Sequence, residues 1–275
     1  VILFTTLFAL FLERMIKKPL VRFESYFNSL QLQLQKRLSK QISEVIVIVH
    51  LPLLLATFLA VSEGWLLGLM ELIIWIALLV TVFEHTELRR SYKSYCMAAC
   101  RDDQVAMKLY SIELGCKDKQ ILSFSDLDQE VAGQLAWINY RHFLAPIFIL
   151  ILFNPAILLL YFSALVVLRE NQSIAWLEQV FTYFDGVMVR LVSILYLLSG
   201  NFSEGAKVWG ENLFNPELSP QQLLRSVLKS SQDDSFSSST HSAISESYTA
   251  LILLKRTLLA VVIILALLTI SAVLG

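Results

Sequence analysis

The chain has 275 residues, 56% of them apolar and 16% charged, with a net charge of −1 and a mean hydropathy of +0.63. So few charges cannot hold that much apolar surface in water, which excludes a soluble globule and leaves lipid to cover the remainder. The near-neutral balance gives a nucleic-acid partner no electrostatic support, and three cysteines, Cys96, Cys100 and Cys116, make no disulfide framework and suit a reducing compartment.

A hydrocarbon core about 30 Å thick needs about 20 apolar helical residues. The first apolar run, Val1 to Leu12, is followed by Glu13-Arg14 and Lys17-Lys18. A signal peptide carries its cations before the apolar run, so this one reads as a retained membrane segment. Val45 to Val61 and Trp65 to Phe83 form a membrane hairpin joined by Ser62-Glu63-Gly64. His50 and Glu71, inside those segments, are expected to face other helices. From Glu84 to Gly115 the pattern is helical, with Leu88, Tyr92, Tyr95 and Ala99 at spacings of three and four, and Gly115 suits a left-handed cap. Ser125 is the expected N-cap of a second helix running through Val131, Leu135 and Ile138 into the membrane. Phe143 to Leu168 is a long segment that Asn154-Pro155 should kink.

Phe181 to Gly200 is apolar apart from Thr182, Asp185, Arg190 and a few small polar residues, and Thr257 to Leu274 is the last membrane helix. Between them, residues 230–247 are serine-rich with few large apolar side chains, so they read as a disordered linker that tethers the last helix. Lysine and arginine orient the set: seven lie in residues 13–43, eight in 84–142 and five in 201–256, against none in 62–64. The basic stretches belong in the cytoplasm. The expectation is an all-α polytopic transmembrane helical bundle of six segments with both ends outside. Residues 1–83 hold three segments and a basic loop at 17–43, 84–142 a cytoplasmic helical hairpin, and 143–200 two further segments. A cytoplasmic loop follows at 201–256, then the C-terminal membrane helix at 257–275.

No catalytic constellation emerges from the residues. Gly200 to Lys207 resembles a phosphate loop only superficially, because Ala206 separates the second glycine from the lysine and Val208 replaces the hydroxyl residue. A helix end capped by Gly200 fits better. Cys96 and Cys100 could pair on a metal, but with no third ligand at the usual spacing they read as small buried residues. No metal or cofactor is expected. Ionisable groups in or near membrane segments are the better candidates because they are expensive to place there. Arg101, Asp103, Asn139, Arg141 and Arg190 form a candidate ligand site, whose guanidinium forks match an anionic headgroup or phosphate. The competing reading has Arg141 snorkelling at the interface and Arg190 paired with Asp185 or Asp103.

Several blocks resemble the bacterial membrane-protein family AmpE: Leu3-Phe-Thr-Thr-Leu with Glu13-Arg14, Tyr95-Cys-Met-Ala-Ala-Cys-Arg101-Asp102-Asp103, Trp137-Ile-Asn139-Tyr-Arg141-His-Phe-Leu-Ala145-Pro146, Val189-Arg190-Leu191 and Ala266-Leu-Leu-Thr-Ile. The resemblance implies a multi-pass inner-membrane accessory protein linked to β-lactamase induction and peptidoglycan recycling. Its partners would be membrane lipid and a cell-wall precursor or regulatory protein. AmpE is in turn similar to the CobD/CbiB membrane enzymes of cobalamin assembly, which implies ligase or transferase chemistry as the alternative. Their acidic E-N-T-x-D-G run corresponds here to Trp137 through His142, which carry no carboxylate, and a later acidic pair corresponds to Phe181-Thr182. Magnesium-dependent chemistry does not carry over onto these residues.

Overall fold

The computed structural model describes residues 2–15, 29, 40–62, 69–83, 86–117, 123–153, 155–170, 175–215, 218–232 and 244–271, and is all-α among them. The 62–64 turn beyond Ser62, most of the 17–43 loop, Trp65, Asn154 and the 233–243 part of the serine-rich stretch lie outside the described residues. The chain divides into two compact units.

The first unit comprises Val1–Glu84, Ala145–Phe181 and Leu265–Gly275. It holds α1 (Ile2–Met15), α2 (Lys40–Ser62), α3 (Leu69–Val82), α7 (Ala145–Leu152) and α8 (Pro155–Glu170). Within it α1 packs on α3, and α2 on α8. Pro155 starts a helix rather than kinking one. At the first helical position its missing N–H would have had no partner anyway, so the expected single segment becomes two helices. His50 stands exposed on α2 rather than facing another helix, while the side chain of Glu71 lies outside the described set.

The second unit comprises His85–Leu144 and Thr182–Ile264. Here the helix expected over Glu84 to Gly115 is two, α4 (Thr86–Ala99) and α5 (Gln104–Glu113). Asp102, in the left-handed region at φ 54°, turns the chain between them, and the Asp103 carboxylate accepts from the Ala106 N–H to cap α5. Gly115 does end α5, at φ 97°. α6 (Phe124–Asn139) is capped by Ser123 instead of Ser125. The earlier start places Phe124 against the core formed by Tyr95, Met107, Leu127 and Val131. A π-helical turn, Tyr140–Leu144, joins α6 to α7, so the helix runs 29 residues from Phe124 to Leu152.

α9 (Ala175–Ser199), α10 (Phe202–Asn212), α11 (Pro220–Ser231) and α12 (Ser245–Ile270) complete the order. Among the described residues, three helices are long and apolar enough to cross a bilayer: Phe124–Leu152, Trp176–Ser199 and Ser245–Ile270. Shorter apolar helices occupy Leu3–Leu12, Ile48–Leu59 and Pro155–Leu168. On α9, Tyr183, Val187, Leu191, Ile194 and Leu198 form one exposed apolar stripe, and Asp185, Val189, Ser193 and Tyr196 are buried on the other side. That division puts grease toward lipid and polar groups toward protein.

Gly200 is required by packing, not by a left-handed cap. The carbonyl of Ser231, at the end of α11, accepts from the Asn201 N–H at 2.9 Å, and a Cβ on Gly200 would collide with that oxygen. The Asn201 side chain then caps α10, so the glycine-containing segment is a helix start and not a phosphate loop. Gly200→Ala should lower stability in detergent by about 3 kcal/mol through overpacking. Gly210, with nothing within 4 Å of a built Cβ, should gain up to about 1 kcal/mol as alanine. Equal unfolding midpoints for the two variants would refute the packing account.

Candidate functional site

A buried polar assembly lies in the second unit, where α6 and its π-turn meet α9. A proline lacks the N–H that a regular α-helix would return to the carbonyl four residues earlier; ahead of Pro146 the helix widens into a π-helical turn at 140–144. The turn carries Tyr140 and Arg141 onto Asp185 of α9. The Tyr140 hydroxyl donates to Asp185 Oδ1 at 2.8 Å, and Arg141 donates to Oδ2 at 2.9 Å. The side chains are 19% exposed for Arg141 and 4% for Asp185. A carboxylate and a guanidinium in an apolar helix pair neutralise one another, which lowers the expense of placing either there.

Trp137, one turn before, lies under the guanidinium at 4.7 Å from ring centroid to Cζ, within cation–π range. Asn139 is buried and accepts from the Tyr196 hydroxyl at 3.4 Å. Arg141 Nε is buried and has no hydrogen-bond partner among the described residues. The arrangement is a guanidinium fixed in plane and direction by Asp185 and Trp137, with donor capacity left over.

The five candidate residues divide. Asn139 and Arg141 share this assembly. Arg190 does not pair with Asp185 or Asp103. Its Nε donates to the Leu213 carbonyl at 2.6 Å, one terminal nitrogen to Gly186 at 2.6 Å and the other to Asn215 at 3.3 Å. Its own carbonyl accepts from Trp209 Nε1 at 3.2 Å. Arg190 therefore fastens the C-terminal end of α10 to α9. Arg101 and Asp103 stand exposed at the α4–α5 turn, where Asp103 is a helix cap. In the sequence, Asp185 stands out only as a partner for Arg190, and nothing marks Tyr140 or Tyr196 for a bonding role. Asp185 carries a usable signal all the same, since a carboxylate inside an apolar segment needs a donor.

Cys96 is half-buried, Cys100 exposed and Cys116 buried, all free thiols. Cys100 thus departs from the expected buried pair. Burial pushes the Cys116 thiol up to about 12, with nearby Glu130 adding to the rise. No group of three or more His, Cys, Asp or Glu able to hold a metal occurs among the described residues.

The family described as "Regulatory signalling modulator protein AmpE" matches residues 1–275, the whole sequence. The chain belongs to the AmpE family. It is 25% identical to Protein AmpE of Shigella flexneri over 295 aligned residues, covering 98% of both chains. No solved structure matches it. The family, with three long apolar helices among the described residues, identifies a bacterial membrane protein with an accessory, regulatory role.

Proposed function

We propose that this AmpE-family chain is a multi-pass inner-membrane accessory protein that binds an anionic ligand at the cytoplasmic face through Arg141, assisted by Trp137 and Asn139. The observation carrying this reading is the Arg141 guanidinium, anchored by one bond to Asp185 and retaining a buried Nε without a partner among the described residues. A planar fork with spare donors suits the oxygens of a phosphate or carboxylate. Linked to peptidoglycan recycling and β-lactamase induction, the ligand is a cell-wall precursor or a lipid headgroup, sensed on behalf of a regulatory protein partner. Of the five candidate residues, Asn139 and Arg141 belong to this site. Arg190 supports the fold, and Arg101 and Asp103 form the exposed turn. A membrane ligase or transferase would need a carboxylate free to act, whereas that of Asp185 is engaged on both oxygens.

Arg141→Ala should abolish inducible β-lactamase control in cells while the protein still inserts and accumulates in the membrane fraction. Arg141→Lys should restore it only in part, because an ammonium lacks the planar fork. Normal induction in cells carrying only Arg141→Ala would remove this site from consideration.

A further inference from the structure

Helix α12 begins at Ser245, directly after Ile244, an aliphatic residue with no acceptor to offer the unpaired N–H groups of the first turn. The acceptor comes from another helix. Asp128 of α6, 1% exposed, accepts the Ser247 backbone N–H on Oδ2 at 3.0 Å and the Tyr95 hydroxyl on Oδ1 at 3.1 Å. The Tyr92 hydroxyl donates to Ser247 Oγ at 3.4 Å. Ile244 meanwhile inserts among Tyr95, Met107, Leu127 and Val131, the core shared by α4, α5 and α6. The last helix is thus seated in the helical hairpin at its first turn, contrary to the loose tether expected from the serine-rich stretch before it.

We propose that Ile244–Ser247 is a releasable latch. Ile244, the buried Asp128 carboxylate and the Tyr92 hydroxyl hold the start of α12 in the α4–α6 core, and withdrawing Ile244 and Ser247 from them is a discrete local opening separate from unfolding of the hairpin. A short segment at the start of a helix frays more readily than the helices it packs on, and conformational switches are drawn from that low-stability end of a structure. Seated, the latch fixes where α12 begins. Released, it uncovers an apolar seat with a carboxylate at its edge, suited to a helix N-terminus preceded by an aliphatic residue. This inference stands independently of the Arg141 site.

Hydrogen exchange on the full-length protein in detergent tests it. In the wild type, amides at residues 246–250 should be protected, yet exchange faster than those of α4 and α6. Asp128→Ala should accelerate exchange at 246–250 by roughly ten- to a hundredfold, the loss of charge-assisted bonds, with α4 to α6 unchanged. Tyr95→Phe, which keeps the ring in the core, should give a smaller acceleration at the same amides. Glu130→Gln, on α6 like Asp128, removes a partly exposed pair with Arg225 of α11 and should leave 246–250 unaffected. Equal acceleration throughout α4–α6 in both the Asp128 and Tyr95 variants would overturn the latch, as would wild-type amides at 246–250 that exchange without protection.

Discussion

Asp185→Ala is expected to be the most damaging substitution at the candidate site, lowering stability by about 3–5 kcal/mol, the range for removing one partner of a buried ion pair. The magnitude follows from what remains rather than from what is removed. Asp185 accepts from both Tyr140 and Arg141, so its loss strands a mostly buried guanidinium in a helix of the membrane-crossing class. Arg141→Ala removes the cation instead and leaves Asp185 with its Tyr140 bond, so it should be milder. The double variant should then be more stable than Asp185→Ala alone by at least about 1 kcal/mol, a coupling that distant residues do not show. Unfolding midpoints in one detergent, followed by tryptophan fluorescence, give all three comparisons. A double variant no better than the single one would mean that the pair is not the energetic unit of the site.

Local rules make much of this fold legible in the residues themselves. Apolar run lengths find the places of Trp176–Ser199 and Ser245–Ile270, but the expected Phe143–Leu168 segment falls partly in Phe124–Leu152 and partly in the shorter Pro155–Leu168; the left-handed Gly115 closes α5 as its position suggests. The departures arise from contacts that local pattern does not contain. Ser123 and Ser125 are both reasonable caps, and only the packing of Phe124 selects the first. Asp128 has the pattern of a solvated residue near a helix start, but its partner Ser247 lies 119 positions away. The Asp185–Arg190 pairing is a different case, because local geometry alone disfavours it. Five residues apart on an α-helix, the two side chains point about 140° from each other. Gly186, four residues before Arg190, lies on its face and offers a carbonyl without an intervening side chain. Arg141 and Asn139 are conspicuous in the sequence because charge and amide are costly in an apolar context. Tyr140 and Tyr196 are not, because aromatic residues at a membrane boundary have a sufficient explanation in the interfacial belt.

The distinction between the proposed ligand-binding arginine and a structural one gives the second large effect, at Arg190. All three guanidinium nitrogens donate to carbonyls, two of them on Leu213 and Asn215 beyond the last turn of α10. Helix C-termini leave carbonyls unpaired and carry partial negative charge, so a cation there satisfies both. Arg190→Ala should destabilise the protein by about 3 kcal/mol, since hydrogen bonds to a charged group contribute about 1.5–3 kcal/mol each and do not add fully. The damage should be local first. Trp209, whose indole donates to the Arg190 carbonyl, sits on α10, and hydrogen exchange at residues 209–215 should rise before that of α6. Arg190→Lys should recover less than half of the loss, because one ammonium cannot span three carbonyls held in a fork. If lysine restored full stability, the fork geometry would be irrelevant. If alanine left residues 209–215 as protected as in the wild type, the arginine would be free for a ligand, and the division of the candidate set between Arg141 and Arg190 would have to be redrawn.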